Sequence, residues 1–262
     1  MEEKMNYTCL QFDLDGAIGT ITLNRPEKRN ALSLELLEEL SALLTTIGEN
    51  KDVKVVIIKG EGKVFCAGHD ISQLKGHDMA YFQAIFDACV TVMEKMQRLP
   101  QPVIAQVHGV ATAAGCQLVA ACDLAVAEEG TRFGTPGVKI GLFCTTPGVP
   151  LVRAIGRKRA LEMLLTGRMI AAEEAAQCGL INKVVPAGEL AKETRALAET
   201  IAEASSFTVS MGKEAFYTQV NLADAQAYDY AKQAMVANLF AEDAQEGLSA
   251  FLRKRKPVWK GK

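Results

Sequence analysis

The stretch Pro102 to Asp123, PVIAQVHGVATAAGCQLVAACD, decides how this chain folds. Its apolar run from Val103 to Val107 predicts a buried strand, and the apolar residues from Cys116 to Ala121 predict a helix. Between them the chain has mostly small side chains, so nothing bulky covers the start of that helix. Free backbone N–H groups at a helix start favour negative charge, and small side chains let a ligand oxygen reach them. Small residues are also typical of tightly packed buried helices, and taken alone this stretch favours packing over ligand binding.

The composition around this stretch is that of an ordinary soluble protein. A chain of 262 residues, 49% of them hydrophobic, can bury a sizeable core as one large domain or as one domain with a helical appendage. A net charge of −2 gives no general reason to expect a nucleic acid or a membrane surface as partner. No window approaches the roughly 18 apolar residues that a membrane span needs.

The last ten residues differ from the rest because they are basic and contain no acidic side chain. Their charged residues are Arg253, Lys254, Arg255, Lys256, Lys260 and Lys262. Such a run suits an anion such as a phosphate, and it is also typical of a solvated tail.

Cysteine usage indicates a reducing compartment. The chain has seven cysteines, an odd number with no Cys-x-x-Cys pair, and several lie inside apolar runs as small core residues do. The first residues, MEEKMNYT, contain neither an apolar segment nor an Arg-rich amphipathic leader. We therefore expect a cytoplasmic location.

Periodicity along the chain predicts a β-rich part followed by a helical part. The β-rich part, residues 1–190, has a hairpin from Tyr7 to Leu23, a helix capped by Ser33 and a strand from Val53 to Ile58. Further segments of this part are a helix from Ala80 to Met96, a strand from Leu124 to Ala127, a long Gly/Pro-rich loop from Arg132 to Pro150, helices at 157–165 and 172–178, and a strand from Asn182 to Val185. Residues 191–262 are predicted to be almost entirely helical, after a boundary near Pro186.

Several kinds of site are absent from the sequence. There is no phosphate loop, no dinucleotide-binding glycine motif, no H-E-x-x-H and no zinc-spaced cysteine or histidine set. The histidines, His69, His77 and His108, do not have the spacing of a metal site, so no metal is expected. Ser72 lies near His69 and Asp70, but sequence neighbours rarely have the geometry of a catalytic triad.

Two loops of similar character each leave a buried strand, Cys66 to Asp70 and Ala111 to Gly115. If they lie side by side, they can direct two backbone N–H groups at one oxygen atom. That arrangement is an oxyanion hole, in which loss of one donor typically costs about 3 kcal/mol of transition-state stabilisation.

The order of motifs along the chain resembles the crotonase superfamily, the enoyl-CoA hydratase/isomerase family. The motifs are NRPEKRNAL (Asn24 to Leu32), FCAGHDI (Phe65 to Ile71), HGVATAAGCQLVAACDLAVA (His108 to Ala127), FGTPGVKIG (Phe133 to Gly141) and EGLSAFLRKRKP (Glu246 to Pro257). The resemblance implies an α/β fold, a crotonase-like spiral of repeated ββα units with a helical C-terminal trimerisation region. It also implies homotrimers or hexamers made of two trimers, and an acyl-CoA thioester as substrate.

The resemblance further implies which residues meet the substrate. The oxyanion N–H donors fall on His69 and Ala114. The positions that contact CoA fall on Lys28, Arg29, Ala67, His69, Asp70, Ile71, Phe251 and Lys254. Phe251 and Lys254 would reach CoA across a subunit boundary, which would explain why the C-terminal tail is basic. CoA enters as part of the substrate, and no permanently bound cofactor is expected.

This chain departs from the hydratases at two positions that matter. Hydratases of the family hold and activate water with two glutamates, and at those positions this chain has Gln117 and Gly137. An amide has no titratable proton near neutral pH and glycine has no side chain, so neither can be a general base. We therefore expect a crotonase-type lyase or isomerase that is not an efficient hydratase.

Three other functions are compatible with these residues. His69 in AGHDI, with Thr135-Pro136 nearby, is similar to the malonyl-type acyl-CoA decarboxylases, whose reaction needs no base; Cys144 either faces the same pocket or is merely packed. In a variant of this chemistry, known from dihydroxynaphthoyl-CoA synthases, bicarbonate fills the space beside a glycine like Gly137.

The second function is that of a non-catalytic acyl-CoA-binding or regulatory protein. A family member that has lost catalysis is expected to lack both glutamates, as this chain does. The chain also looks similar to hydratase-domain-containing paralogues. The third, RNA binding through the basic tail, has little support from a net charge of −2.

Overall fold

The structure is a computed structural model that describes residues 7–262. The prediction of a chain start without a leader falls mainly on residues 1–6, which lie outside the described residues. No helix within residues 7–262 is long and apolar enough to cross a membrane.

Strands and helices alternate through the first part of the chain, and helices alone fill the last part. The strands are β1 Leu10–Asp15, β2 Ile18–Leu23, β3 Val55–Gly60, β4 Val103–Val107, β5 Val110–Thr112, β6 Leu124–Glu128, β7 Arg132–Gly134, β8 Met169–Ala171 and β9 Lys183–Val185. The α-helices are α1 Leu34–Glu49, α2 Met79–Arg98, α3 Ala114–Ala121, α4 Thr145–Ile155, α5 Arg157–Thr166, α6 Ala172–Cys178, α7 Leu190–Ala202, α8 Ser206–Gln219, α9 Asp224–Leu239 and α10 Glu242–Leu252. Short 3-10 helices lie at Pro26–Lys28, Ile71–Leu74 and Pro136–Ile140.

Six strands form the main sheet in the order β1-β2-β3-β4-β6-β9. The predicted hairpin is confirmed: β1 and β2 pair antiparallel, and Gly16 takes the left-handed conformation (φ 59°) that a tight turn requires. The other neighbours pair in parallel. Strand β3 is apolar on both faces because helices and loops cover both sides of a parallel sheet.

A smaller sheet of three strands, β5-β7-β8, stands beside the main one. Strand β5 follows β4 after only His108 and Gly109, and Gly109 is left-handed (φ 61°), so the chain turns sharply between the two sheets. A strand of the main sheet, a strand of the small sheet and a helix thus follow in succession. The predicted mixed α/β fold is confirmed.

The core lies between the main sheet and the helices α1 and α2. Ser33 caps α1 as predicted, since its hydroxyl oxygen accepts a hydrogen bond from the Leu36 N–H. The buried face of α1 consists of Leu36, Leu37, Leu40, Leu43, Leu44 and Ile47. Each such side chain stabilises the fold by about 1.5–3 kcal/mol on burial.

The predicted loop from Arg132 to Pro150 is wrong, because most of it has regular structure. It contains β7, a 3-10 helix and the first half of α4. Pro147 lies in the first turn of α4, where no N–H is needed. Pro150 lies inside the helix, and it is tolerated there with Leu151 and Ile155, which bury that face of α4.

All seven cysteines are free, and five of them are buried, as the composition predicted. Burial raises the pKa of Cys66, Cys89 and Cys116 to about 12. These thiols are packing residues without reactive thiolate at neutral pH.

The C-terminal helices confirm the predicted helical part. Helix α7 packs on the sheet through Ala198, which contacts the core residues of β2, β3 and β4. Helices α8 and α9 bury no residue. The division into residues 1–190 and 191–262 remains a prediction.

The basic tail is fixed to the protein along part of its length. Buried Asp243 accepts hydrogen bonds from the backbone N–H groups of Lys260 (2.7 Å) and Gly261 (2.9 Å). Arg255 pairs with Glu246, and Lys260 and Lys262 pair with Glu242. Within residues 7–262, the basic tail residues without an ion pair are Arg253, Lys254 and Lys256.

Candidate active site

The two small-residue loops lie side by side, which is the condition that an oxyanion hole requires. A parallel bridge joins Cys66 to Ala111, and the Thr112 N–H donates to the Cys66 carbonyl at 3.0 Å. The Thr112 hydroxyl donates to the Ala67 carbonyl at 2.9 Å. These bonds fix the two loops in one register.

The small residues make this close approach possible. A Cβ on Gly115 would collide with the Cys66 carbonyl, and a Cβ on Gly68, which is left-handed (φ 97°), would lie 2.9 Å from the Cβ of Ala113. Ala113 itself has φ 49°, a strained conformation for a residue with a side chain. Tight packing and an uncovered helix start therefore have the same cause.

Two backbone N–H groups remain unused where the loops meet. Asp70 donates to Leu32 (3.0 Å) and Ala113 donates to Gly134 (2.8 Å), but within residues 7–262 the N–H groups of His69 and Ala114 have no acceptor. Ala114 is the first residue of α3, where the helix cannot supply a partner. Both residues line the same pocket, so both donors are available to a ligand there.

This acyl pocket, as we call it, is small and mostly apolar. Its volume is about 120 Å³. It is lined by Ala67, His69, Ile71, Leu74, Phe86, Ala113, Ala114, Gly137, Ile140, Leu142, Phe143, Cys144, Thr145, Thr146 and Pro147. Among the described residues 7–262, no Asp, Glu, Lys or Arg belongs to this lining. No cluster of three or more potential metal ligands occurs in the described part of the chain.

The His69 side chain is one of several groups in the lining of the acyl pocket that can form hydrogen bonds. Its ring lies edge-on to Phe86, with ring centroids 5.2 Å apart, and its buried Nε2 has no hydrogen-bond partner within residues 7–262. Burial lowers the pKa of His69 to about 4, so the imidazole is neutral at pH 7. A neutral imidazole with a free nitrogen can donate or accept a hydrogen bond toward a ligand.

Gly137 lacks the space for a side chain. A Cβ there would lie 2.5 Å from the Leu142 carbonyl oxygen and 2.7 Å from the Cys144 Sγ. The Cys144 thiol thus takes part of the room that a side chain at position 137 would need, and Cys144 lines the acyl pocket. Burial raises the pKa of Cys144, which keeps the thiol protonated.

Gln117, the other position of a missing glutamate, is not brought into the acyl pocket. It is 3% exposed on α3 and lines a neighbouring cavity. Its Oε1 is buried without a partner within residues 7–262. Thr135 is likewise buried, and its hydroxyl oxygen has no partner there.

The predicted CoA-contacting residues of the first loops lie together. Lys28 ends a 3-10 helix, and the carbonyl of Arg29 accepts a hydrogen bond from the Ala67 N–H at 3.0 Å. Asp70 is already engaged, because its carboxylate accepts hydrogen bonds from Arg25 (3.0 Å) and from the Ser72 hydroxyl (2.6 Å). Its side chain holds the loop, and its backbone is engaged as well, because its N–H donates to the Leu32 carbonyl and its carbonyl accepts from the Gln73 N–H, both at 3.0 Å.

Phe251 and Lys254 lie apart from the acyl pocket on the C-terminal helix and the turn after it. Phe251 is 82% exposed, and Lys254 adopts φ 52°. Their contact with CoA across a subunit boundary remains a prediction.

Sequence reasoning missed Phe86 and Thr146. Phe86 packs on His69, and Thr146 lines both the acyl pocket and the neighbouring cavity. Phe86 follows a helical apolar pattern that does not reveal its partner, whereas Thr146 was hidden in a segment predicted to be a loop.

Comparison with known proteins places this geometry in a family. The model of the enoyl-CoA hydratase/isomerase family matches residues 13–262. The human protein named enoyl-CoA hydratase domain-containing protein 3, mitochondrial, is 51% identical over 249 residues, which are 94% of this chain and 81% of that protein. A probable enoyl-CoA hydratase of Mycobacterium tuberculosis is 34% identical over 97% of this chain and 98% of its own.

Solved structures agree over nearly the full length. The crystal structure of the human domain-containing protein 3 has a TM-score of 0.94 and 49% identity, covering 96% of this chain and 100% of that one. An enoyl-CoA hydratase from Mycobacterium smegmatis has a TM-score of 0.94 and 45% identity, covering 96% and 98%.

Proposed function

We propose that this chain, which belongs to the enoyl-CoA hydratase/isomerase family, binds an acyl-CoA thioester and stabilises the enolate of the acyl group. The observation that carries the proposal is the pair of unused N–H groups, of His69 and Ala114, at one pocket. A thioester oxygen accepts both bonds, and an enolate oxygen accepts them more strongly. The site therefore favours the intermediate over the substrate.

Efficient hydration is not the reaction we propose. Among residues 7–262 no carboxylate lines the acyl pocket to activate water, Gln117 lines a different cavity, and Gly137 has no room for a side chain. The titratable side chains that remain there are a neutral imidazole and a protonated thiol, which are weak bases at pH 7.

Decarboxylation of a malonyl-type acyl-CoA suits the same pocket. The C–C bond to the carboxylate breaks, CO₂ leaves, and the electron pair passes into the enolate, which His69 and Ala114 N–H groups stabilise. A proton from the Cys144 thiol then completes the product, and water restores the thiol. The apolar wall around Phe86 and Leu142 solvates the departing carboxylate poorly, which favours its loss as neutral CO₂. CoA comes with the substrate, and no further cofactor is invoked.

A non-catalytic acyl-CoA-binding role is the second candidate. It is favoured by the same lack of a pocket carboxylate, because binding needs the two N–H donors and no proton transfer. Turnover of a malonyl-type acyl-CoA distinguishes the decarboxylase from the binding protein.

Assembly into trimers or paired trimers is part of the proposal. Helices α8 to α10 leave large apolar side chains exposed, among them Phe216, Met235, Phe240, Phe251 and Leu252. Such a surface favours contact with further copies, and it would bring Phe251 and Lys254 to the CoA of a neighbour. A cytoplasmic location also stays a proposal; the human relative is named mitochondrial.

One incubation series tests the reaction. The purified protein is given malonyl-, methylmalonyl-, ethylmalonyl- and crotonyl-CoA, and product masses are followed. We expect loss of CO₂ from a malonyl-type substrate, and a slower loss in His69→Ala, which keeps the backbone N–H of the oxyanion hole but removes the imidazole whose unpartnered Nε2 can bond to the substrate. His77→Ala is the matched control, because His77 is exposed and stacks on Tyr81 outside the pocket.

Each other outcome has a definite meaning. Rapid hydration of crotonyl-CoA would contradict the role assigned to the missing glutamates. Tight binding of acyl-CoA without any product would establish the non-catalytic candidate. No binding of any thioester would overturn the proposed function altogether.

A further inference from the structure

Helix α2 contributes an aromatic side chain to the wall of the acyl pocket. Phe86 lies on α2 beside Ile85 and near Cys89, both of which are buried in the core and hold this part of the helix in place. The Phe86 ring packs edge-on against the His69 ring, with centroids 5.2 Å apart and planes at 73°. This distance and angle are those of a favourable aromatic pair. Phe86 is thus a wall residue whose ring meets the one imidazole of the pocket.

The backbone of His69 is fixed on its other side. The Leu32 N–H donates to the Gly68 carbonyl at 2.8 Å, and the Asp70 N–H donates to the Leu32 carbonyl at 3.0 Å. His69 lies between these two bonds, in a parallel bridge with Leu32. The path of the backbone is therefore set, and the orientation of the ring depends on what packs against the side chain.

The His69 ring is shielded from water. The residue as a whole is half-buried, but its Nε2 is fully buried and has no hydrogen-bond partner within residues 7–262. A ring nitrogen that reaches neither water nor a protein group is covered by apolar neighbours. Phe86 is the aromatic side chain that packs on this ring.

No charged group in the lining offsets the cost of placing a proton on the ring. Among residues 7–262 the lining has no Asp, Glu, Lys or Arg, and its other titratable group is the Cys144 thiol at the start of α4. The carboxylate of Asp70, on the same loop, is bound by Arg25, and that of Asp87 on α2 is exposed to solvent. Burial alone lowers the pKa of His69 to about 4.

We propose that Phe86 is a positioning residue for the decarboxylation, because its ring holds the His69 imidazole in place and keeps it uncharged by excluding water. An imidazolium would form an ion pair with the carboxylate of a malonyl-type substrate and so stabilise the group that has to leave. An uncharged ring binds that carboxylate more weakly and does not oppose its loss as CO₂. The inference rests on the proposed function for this consequence, whereas the shielding of the ring can be measured without it.

Titration of the imidazole followed by NMR tests the shielding. The histidine signals are recorded between pH 8 and pH 5, and the His69→Gln variant identifies those of His69. In the wild-type protein we expect no transition of His69 in this range, because its pKa is about 4. In Phe86→Ala water reaches the ring, and the midpoint should move to about pH 6, toward the ordinary value of an exposed imidazole.

The pH profile of decarboxylation tests the consequence. In the wild-type protein, kcat for malonyl-CoA should be the same at pH 8 and pH 5.5. In Phe86→Ala a midpoint of about 6 leaves about a quarter of the His69 rings uncharged at pH 5.5, so kcat should fall about fourfold there and recover at pH 8. KM should fall together with kcat, because the charged ring binds the carboxylate of the substrate.

Two further variants serve as controls. Phe86→Tyr keeps the aromatic ring and should keep the wild-type titration and pH profile. Phe82→Ala removes a ring one turn earlier on α2, which lies 6.4 Å from that of His77 and outside the lining of the acyl pocket, so it should leave His69 unchanged. Phe86 is exposed and Phe82 is half-buried, so all of these variants are expected to fold.

Three outcomes overturn the inference. A wild-type His69 that titrates near pH 6 is not shielded, and a His69 that still does not titrate above pH 5 in Phe86→Ala is shielded by other groups. An equal loss of kcat at both pH values in Phe86→Ala reflects lost packing and refutes the positioning role. Failure of the wild-type protein to release CO₂ from any malonyl-type substrate contradicts the proposed function and the link to decarboxylation, whereas the NMR comparison still confirms or refutes the shielding.

Discussion

Substituting Gly137 by alanine tests why this chain lacks a hydratase glutamate. The new Cβ would lie 2.5 Å from the Leu142 carbonyl oxygen and 2.7 Å from the Cys144 Sγ, both well inside van der Waals contact. The Leu142 carbonyl belongs to backbone that is tied back, because the Leu142 N–H donates to the Gly137 carbonyl at 3.0 Å. Overpacking of this kind costs about 1–3 kcal/mol, and with one immovable neighbour we expect about 2–3 kcal/mol.

Urea unfolding followed by circular dichroism measures this loss at a fixed protein concentration, because the proposed assembly would make unfolding depend on concentration. Gly212→Ala is the control, because Gly212 lies in α8 with no atom within 4 Å of its added Cβ. That control is expected to keep or raise the free energy of unfolding, by up to about 1 kcal/mol, since alanine is the better helix former.

An unchanged free energy of unfolding in Gly137→Ala would refute this reasoning. It would show that the loop around Leu142 gives way at no cost and that the space for a glutamate exists. Gly137→Glu should likewise fail to gain hydration of crotonyl-CoA, and a clear gain would count against the account in the same way.

The remaining predictions concern three other groups. Lys213→Met should lower the free energy of unfolding by about 3 kcal/mol, because it removes the buried partner of Asp123 (2.7 Å) and leaves the Met96 carbonyl without its donor. Urea unfolding measures this change, and a loss below about 1 kcal/mol would contradict a structural role for Lys213. The pKa of His69 is lowered from 6.5 to about 4, so between these pH values the unfolded chain binds a proton that the folded protein does not, and stability is lost as the pH falls. Between pH 7 and pH 4 the free energy of unfolding of the wild-type protein should therefore fall by about 3 kcal/mol more than that of His69→Gln. Parallel pH profiles of the two proteins would refute burial of the ring. Cys144→Ala widens the acyl pocket, so the ratio of kcat/KM for ethylmalonyl-CoA to kcat/KM for malonyl-CoA should rise about tenfold, which is the value of one methylene group in a pocket. An unchanged ratio would show that Cys144 does not contact the acyl group.

The parts of the fold that rest on local chemistry could be predicted from the sequence. The Asp15-Gly16 turn, the Ser33 cap and the apolar run from Val103 to Val107 each have one dominant physical meaning, and the structure has the corresponding elements. The meeting of the two small-residue loops could also be predicted, because loops that leave neighbouring parallel strands lie at the same edge of a sheet.

Features that depend on tertiary contacts could not be predicted. Two prolines and one glycine made α4 look like a loop, and only its buried face against the core overrides their low helix propensity. No pattern in the sequence of the basic tail indicates that Asp243 accepts hydrogen bonds from its backbone N–H groups. The collision that excludes a side chain at Gly137 depends on a turn whose geometry no pattern specifies.

The location of Gln117 shows the limit of inference from motifs. Its position in the sequence matches a catalytic glutamate of the hydratases, but its side chain lines a different cavity from His69. A motif fixes the position of a residue on its helix, and the space around the helix fixes what the side chain can meet.

A crystal structure of the protein with bound acetyl-CoA tests the central claim most directly. The account predicts the thioester oxygen at about 2.7–3.1 Å from the backbone nitrogens of both His69 and Ala114. A thioester oxygen that contacts neither nitrogen, with the acyl group outside the pocket of His69 and Cys144, would contradict it.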